Sequence, residues 1–231
     1  MKVFSLSVLA IAAAAAAPCS SAEPETLFNG KDLSGWRGAA EHWSVEDGVI
    51  TGRTSDAAPL KNNSFLIYEK PVGDFDLTLE YRIENGNSGV QYRSKVLDES
   101  KFIVGGFQAD IDATGRFTGI HYEEKGRGIL AERGQVTLVD DTPPPELLGS
   151  SGDTAALGEK VLDGWNKYRI LAVGDSTYHF INGVLMSAVV DRGDTAPEEG
   201  VLALQIHVGP AMKVQFRGIE LKRLDGESAK P

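Results

Sequence analysis

The chain has a single cysteine, Cys19, in 231 residues. One cysteine excludes an intramolecular disulfide framework, and it excludes a metal site built from several thiolates. Runs of lysine and arginine are also missing, and acidic residues outnumber basic ones by 33 to 23. Nucleic acids and anionic membrane surfaces are therefore poor partners for this protein.

Long apolar runs are confined to the beginning of the sequence. A positively charged start precedes an apolar run over residues 3–17, and small residues follow up to Ala22. This order predicts an export signal that is cleaved after Ala22, and hence a periplasmic or secreted protein without a membrane span. A lipid anchor on Cys19 is the alternative, although Pro18 directly before the cysteine is poorly suited to a lipobox.

Long helical periodicity is absent after the N-terminal segment, and only residues 153–160 favour a short helix. Strand-like runs recur instead between glycine, asparagine and aspartate residues. Hairpin turns are indicated at residues 46–48, 85–87, 174–176 and 182–183. The pattern predicts one all-β sandwich over residues 23–225, with a long surface loop around residues 143–152 and a frayed tail at 226–231.

Four of these runs place polar or ionisable side chains on every second residue: 76–82, 88–93, 107–112 and 204–208. Alternate side chains of a strand point to opposite faces of its sheet, so one set can be buried while the other lines a surface. We expect the polar set to share one concave sheet face and to form the wall of a sugar site. Its members are Glu80, Arg82, Gln91, Arg93, Gln108, Asp110, Asp112, Gln205 and His207. The alternative is an ordinary solvated face of an antiparallel sheet.

Residues 27–36 read Leu-Phe-Asn-Gly-Lys-Asp-Leu-Ser-Gly-Trp and open an ordered series of motifs. The series continues with residues 43–52, 75–82, 87–93, 106–112, 118–122, 165–168, 179–183 and 200–217. Each motif alone is weak, but together they resemble the 3-keto-disaccharide (3-keto-glycoside) hydrolase family over almost the whole mature chain. The resemblance implies a concanavalin A-like jelly-roll of two antiparallel sheets, in an exported enzyme that cleaves 3-keto-glycosides. It does not imply which sugar is cleaved.

Two features depart from the pattern of that family. Gln108 stands in a strand where many relatives carry a glutamate, so an acid is replaced there. Residues 139–163 are also unusual, and a role of this stretch in shaping the substrate site cannot be transferred from relatives.

The chemistry of a 3-keto sugar sets the requirements of the site. A ketone at C3 acidifies the proton at C2, because the carbanion that forms is stabilised as an enolate. A base can remove that proton, the aglycone then leaves from C1, and water adds to the unsaturated sugar. The site needs a base, a partner for the enolate oxygen and an acid for the leaving group. The predicted proton carriers are His207, Asp110 and Glu80, and the predicted oxyanion partner is Arg93.

Substrate binding is assigned to the remaining polar side chains and to one tyrosine: Gln108, Gln91, Asp112, Gln205 and Tyr122. Asp110 and Asp112 could pair with Arg93, hold a divalent cation or face water. A transition metal held by His207 with Asp110 and Glu80 is chemically reasonable, so the sequence leaves a metal cofactor open. Residues 123–125 indicate a solvated loop. The tryptophans, Trp36, Trp43 and Trp165, are expected to pack in or at the edge of the sandwich rather than stack on sugars.

Two other functions remain open from the sequence. A lectin-like module without catalytic activity could use the same sheet face to hold a glycan. A conventional sandwich glycosidase usually shows the pattern Glu-x-Asp-x-x-Glu on one strand, and this pattern is absent here.

Overall fold

The computed structural model describes residues 23–57 and 59–224. The segment predicted to be an export signal and the tail at 226–231 lie outside the described residues. The strands, in chain order, are β1 (Glu25–Thr26), β2 (Trp36–Arg37), β3 (Trp43–Glu46), β4 (Val49–Arg53), β5 (Ser64–Tyr68), β6 (Phe75–Glu84), β7 (Asn87–Asp98), β8 (Ile103–Asp112), β9 (His121–Glu124), β10 (Gly128–Ala131), β11 (Gln135–Val139), β12 (Glu146–Ser150), β13 (Asn166–Val173), β14 (Ser176–Ile181), β15 (Val184–Asp191), β16 (Val201–Ile206) and β17 (Lys213–Arg223). A 3-10 turn at Glu99–Lys101 and a short helix, α1 (Thr154–Gly158), complete the described elements.

Two sheets pack face to face and confirm the predicted jelly-roll sandwich. The ten-stranded sheet has the order β12-β11-β15-β14-β13-β6-β17-β4-β3, with β1 paired to β17. The seven-stranded sheet has the order β10-β9-β8-β7-β16-β5-β2. Neighbouring strands are antiparallel, as predicted, with the exception of β11 and β15, which run parallel. In the described residues, no helix is long and apolar enough to cross a membrane.

The core lies between the two sheets and follows the alternation of the sequence. In β6 the apolar residues Phe75, Leu77, Leu79 and Tyr81 are buried, whereas the residues between them are half-buried on the outer face. Burial of one side of each strand removes apolar area from water and is the main driving force for packing two sheets.

Two of the predicted hairpin turns show why their residues were informative. Asp47 and Gly48 join β3 to β4, and Asn182 and Gly183 join β14 to β15. All four have positive φ angles, between 51° and 83°. Two-residue turns of this type require that conformation, which asparagine, aspartate and glycine adopt at low cost.

The surface loop predicted around residues 143–152 contains a strand instead. β12 pairs with β11 at the edge of the ten-stranded sheet. Sequence alternation did not indicate it, because Leu147 and Leu148 are adjacent and both exposed. The predicted helix is present as α1, and the carboxylate of Asp153 accepts hydrogen bonds from the backbone N–H groups of Ala155 and Ala156 at its start.

The tryptophans pack as the sequence predicted. Trp43 is buried in the core, and the Trp36 indole N–H donates to the carbonyl of Leu27 at 2.8 Å. Trp165 lies at the outer side of the ten-stranded sheet, where the guanidinium carbons of Arg82 and Arg217 lie 4.9 and 4.1 Å from its ring centre. This indole therefore contacts two guanidinium groups.

A stacked pair of histidines lies in the core between the sheets. The rings of His121 and His179 are parallel to within 6°, with centroids 3.5 Å apart. The Tyr92 hydroxyl lies 2.5 Å from His121 Nε2 and 3.0 Å from His179 Nε2. His179 Nδ1 donates to the carbonyl of Ile120, which leaves Nε2 as the acceptor of the tyrosine proton. Complete burial lowers the pKa of His121 well below its usual value and lowers that of His179 to about 3, so both rings are neutral.

This pair makes folding stability depend on pH. As the pH falls from 6.5 towards 3, an unfolded chain protonates His179 while the folded protein does not, so the free energy of unfolding decreases. We expect His179→Gln, which keeps hydrogen-bonding groups but cannot titrate, to lose less stability between pH 7 and pH 4.5 than the wild type does. Urea unfolding at the two pH values measures the difference. His42→Gln, at a half-buried histidine outside the core, is the control. The account of the pair is wrong if both variants keep the wild-type pH dependence.

Candidate functional site

The outer face of the seven-stranded sheet carries a polar cluster on its central strands. In the register of β7 with β8, Gln91 is opposite Gln108 and Gly89 is opposite Asp110. The register of β8 with β9 adds Tyr122 opposite Gln108. Since directly opposed residues project from the same face, these side chains are neighbours.

Hydrogen bonds connect this cluster into a chain that ends on a buried carboxyl. The Ser94 hydroxyl donates to Gln91 Oε1 at 2.7 Å, and Gln91 Nε2 donates to Gln108 Oε1 at 2.8 Å. Gln108 Nε2 then donates to Asp110 Oδ2 at 3.3 Å. From the other side, Asn87 Nδ2 donates to Asp110 Oδ1 at 2.7 Å. Each carboxyl oxygen of Asp110 thus has an amide donor, which fixes the plane of the group.

A glycine makes room for this arrangement. A Cβ atom added to Gly89 would lie 2.6 Å from the side chain of Gln108, far inside the distance that two carbons tolerate. The missing side chain lets Gln108 lie across β7 and reach Asp110. The departure noted at Gln108 therefore has a structural consequence, because its amide is a donor where an ionised glutamate is an acceptor only.

Burial changes the acidity of Asp110, which is only 5% exposed. Loss of hydration raises its pKa from 3.8 to about 7, and the nearby carboxylates of Asp112 and Glu124 act in the same direction. The amide donors of Asn87 and Gln108 oppose the shift. A carboxyl group with this pKa can hold or release a proton near neutral pH, as general acid–base catalysis requires.

Asp110 lines a cavity of about 230 Å³ on this face. The lining residues are Asn87, Gln108, Asp110, Asp112, Phe117, Ile120, Tyr122, Glu124, Ile129 and His207. The volume lies below the range of about 300 to 1,000 Å³ that is typical of sites for drug-sized ligands, so the pocket suits a small unit such as one sugar ring. Its mixture of polar groups with apolar side chains such as Phe117 and Ile129 suits the hydroxyls and C–H faces of a sugar.

His207 reaches this pocket from the residue that follows β16. Its Nδ1 lies 2.6 Å from the carbonyl oxygen of Val208. A carbonyl only accepts hydrogen bonds, so Nδ1 carries the proton and Nε2 has the lone pair of the neutral ring. Asn63 supports this segment, because its Oδ1 accepts from the backbone N–H of Val208.

Glu124 is a pocket residue that the sequence interpretation placed in a solvated loop. It is the last residue of β9 and is 7% exposed. Asn63 Nδ2 donates to its Oε1 at 3.3 Å, and Gln205 Nε2 lies 3.5 Å from its Oε2. The signal was present in the sequence, because Tyr122 and Glu124 are two residues apart and therefore share a face in a strand.

Tyr122 lines the same pocket as a protonated phenol. Partial burial raises its pKa, and the charges of Glu124 and Asp110 add to the increase. The hydroxyl therefore remains a hydrogen-bond donor at neutral pH.

The other predicted binding residues have different positions relative to the cavity. Asp112 lines it, but its Oδ2 also accepts from the hydroxyl of Thr114 and the backbone N–H of Arg116, which orders the following loop. Gln91 and Gln205 are fully buried beside the lining residues and orient Gln108 and Glu124, respectively.

The prediction that Glu80 and Arg82 share this face is wrong. Both are on β6, in the ten-stranded sheet on the other side of the core. Glu80 Oε2 accepts from Arg217 Nε at 2.5 Å, and Arg82 Nε donates to Gln215. Alternation within a strand indicates the face of its own sheet, but it cannot indicate which of two sheets the strand joins.

Arg93 also lies away from the cavity, contrary to the prediction. Its guanidinium donates to the carbonyls of Gly73 and Gly174 and to Asp74 Oδ1, at 3.1, 2.7 and 2.5 Å. The side chain is 2% exposed, and its backbone has a φ of 46° beside an irregularity in the pairing of β7 with β8. This irregularity interrupts the alternation, and the arginine holds together the segments around residues 73–74 and 174.

We expect Arg93→Lys to reduce stability rather than chemistry. A lysine cannot serve these separate acceptors with one planar group, so we expect a loss of roughly 1–3 kcal/mol in the free energy of unfolding. Any catalytic turnover, expressed per folded molecule, should stay within about twofold of the wild type. Denaturant unfolding and activity corrected for the folded fraction separate the two effects. A stable but inactive variant would restore Arg93 as a site residue.

A larger cavity, of about 780 Å³, lies at the Arg93 end of the sandwich. Ion pairs lie in its wall, among them Arg93 with Asp74 and Arg192 with Asp175. It also lacks the polar cluster of the sheet face. Among the described residues, no three His, Cys, Asp or Glu side chains come together in a way that could hold a metal ion.

Comparison with known proteins gives the family context of this pocket. Residues 23–222 match the 3-keto-alpha-glucoside-1,2-lyase-like domain. A 75-residue segment is 33% identical to the 3-keto-disaccharide hydrolase of Bacteroides thetaiotaomicron, and this match covers 29% of the chain and 26% of that enzyme. The chain therefore aligns with about a quarter of the length of this curated relative.

Solved structures share the fold at low sequence identity. A candidate glycosyl hydrolase from Parabacteroides distasonis superposes with a TM-score of 0.57 at 19% identity, covering 88% of this chain and 100% of that chain. The carbohydrate-binding module CBM66 from Bacillus subtilis gives 0.54 at 17% identity, covering 81% and 95%. A Bacillus subtilis protein with a galectin-like fold gives 0.57 at 12% identity, covering 87% and 94%. These similarities establish the sandwich architecture.

Proposed function

Since the chain belongs to the 3-keto-alpha-glucoside-1,2-lyase-like domain family, we propose that its pocket cleaves the glycosidic bond of sugars oxidised at C3. The observation that carries this proposal is the pairing, in one small cavity, of a carboxyl group whose pKa is about 7 with a histidine whose Nε2 has a free lone pair. The name of the Bacteroides thetaiotaomicron relative supports the same substrate class.

The first step is removal of the C2 proton by Nε2 of His207. The electrons of the C–H bond move towards C3, and its oxygen becomes an enolate oxygen. The Tyr122 hydroxyl donates a hydrogen bond to that oxygen and takes the role that the sequence had assigned to Arg93. Protonated Nδ1 stays bonded to the Val208 carbonyl, which keeps the ring oriented through the transfer.

The second step breaks the bond between C1 and the leaving oxygen. The enolate electrons form the C1=C2 double bond, the C3 ketone returns, and the neutral form of Asp110 gives its proton to the leaving oxygen. The neutral form of Asp110 is populated at neutral pH, because its pKa is raised to about 7. Gln108 and Asn87 stabilise the carboxylate that is left behind.

Hydration completes the cycle and returns each group to its starting form. Asp110 carboxylate takes a proton from water as the hydroxyl group adds to C1, and the His207 imidazolium returns a proton to C2. The sum is hydrolysis of the glycoside, with no redox change. Localisation in the periplasm or outside the cell, which the sequence predicts, fits an enzyme that meets extracellular glycosides.

We expect the purified protein to cleave a 3-keto-disaccharide and to leave the unoxidised disaccharide intact, because only the ketone acidifies the C2 proton. Asp110→Asn and His207→Ala should each lower turnover by about a hundredfold or more, the scale of losing a general acid or base. Glu80→Gln is the matched control and should keep full activity, since this carboxylate lies in the other sheet. Product chromatography measures all of these rates.

Isotopes separate elimination from direct hydrolysis. A substrate deuterated at C2 should release a sugar that has lost C2 deuterium to solvent, because the deuteron on the His207 imidazolium can exchange with water before a proton returns to C2. Retained deuterium at C2 together with full activity of His207→Ala would contradict the elimination route. Tight binding of glycans without any cleavage would favour the lectin-like alternative.

A further inference from the structure

A cavity of about 400 Å³ lies on the other side of the loop that follows β8. We call it the second cavity, and the pocket of Asp110 and His207 the first. Asp112 lines both cavities, and the loop at residues 113–118 contributes Phe117 to the first cavity and Thr114 and Gly115 to the second. The opposite wall of the second cavity comes from residues 158–166, between α1 and the start of β13.

One residue that lines this second cavity, Tyr81, has a hydroxyl without a partner. Tyr81 is 2% exposed, and its oxygen makes no hydrogen bond with the described residues. The adjacent Tyr168, whose ring centre is 5.8 Å away, donates its hydroxyl to the backbone carbonyl of Asp110. Buried tyrosine hydroxyls usually have a partner, because leaving one unpaired costs free energy. Because Tyr81 lines the cavity, a molecule bound there is a candidate partner for this hydroxyl.

The remaining lining groups define the chemistry of that molecule. Asp112 and Asp163 provide carboxylate acceptors, and no lysine or arginine lines the cavity. The ionisable groups of the lining are therefore both acidic, which disfavours an anionic ligand. Apolar groups complete the wall, among them Val161 and Leu162, the latter 57% exposed. Carboxylates can accept hydrogen bonds from the hydroxyl groups at the edge of a sugar ring, and the aliphatic side chains can pack against its C–H face.

We propose that this cavity is a second binding site, which takes a neutral sugar ring with the Tyr81 hydroxyl bonded to one of its oxygens. The site is separated from the pocket of Asp110 and His207 by the loop at residues 113–118, and binding there does not require cleavage. It can hold a sugar unit of a larger glycan while another part of that glycan, or another chain, is presented to the first pocket.

Amide NMR can locate binding, because the two cavities have different reporters. Gly115, Gly158 and Gly164 line the second cavity, whereas no glycine lines the first. We expect titration with neutral probes (glucose, galactose, mannose, cellobiose and trehalose) to shift these glycine signals saturably for at least one probe. Glucuronate, which is anionic, should bind more weakly than glucose.

Tyr81→Phe removes only the hydroxyl and, since that group bonds to no described residue, should not reduce stability. We expect it to raise the apparent Kd of the bound probe roughly three- to tenfold, the effect of one neutral hydrogen bond. Tyr178→Phe, on half-buried Tyr178 outside both cavities, is the matched control and should keep the wild-type Kd.

Asp110→Asn separates this site from the proposed catalysis, because the glycine shifts should persist in a variant without cleavage activity. Three results would overturn the proposal: no saturable glycine shift with any neutral probe, shifts confined to the side-chain amides of Asn87 and Gln108, or an unchanged Kd in Tyr81→Phe. The last result would mean that the hydroxyl bonds only to ordered water.

Discussion

The burial of one carboxyl group, that of Asp110, is the constraint on which the site depends. Burying an ionised carboxylate away from water costs free energy, so such a group either takes up a proton or is surrounded by hydrogen-bond donors. Both effects act on Asp110: its pKa rises to about 7, and the side-chain amides of Asn87 and Gln108 donate hydrogen bonds to its oxygens. The balance between them keeps the group able to carry a proton in either direction near neutral pH.

The position of this carboxyl is set by the packing of its strand. The neighbours Ala109 and Ile111 are fully buried in the core, and a slip of β8 by one residue would exchange the two faces. Core packing thus holds Asp110 on the outer face. Gly89 then leaves the space that Gln108 needs to bond to Asp110.

Much of the fold and half of the site followed from period-two patterns in the sequence. The patterns gave the sandwich and placed Gln91, Gln108 and Asp110 on one face. The patterns placed Glu80 in the wrong sheet. Alternation indicates the face of a strand within its own sheet, but long-range pairing determines which sheet the strand joins. The prediction for Arg93 was wrong because an irregularity in the pairing of β7 with β8 interrupts the alternation. The irregularity is visible in the backbone angles but not in the sequence pattern. Glu124 was missed because charged neighbours in its sequence resemble a solvated turn.

The ionisation of Asp110 tests the account most directly. Carbon-13 NMR of the aspartate carboxyl carbons, with the Asp110 signal assigned by its disappearance in Asp110→Asn, follows that group through a pH titration. We expect a midpoint near pH 7, as burial beside Asp112 and Glu124 requires. A midpoint near 4, the ordinary value for an exposed aspartate, would contradict the account, because the carboxyl could not then supply the proton for the leaving group at neutral pH.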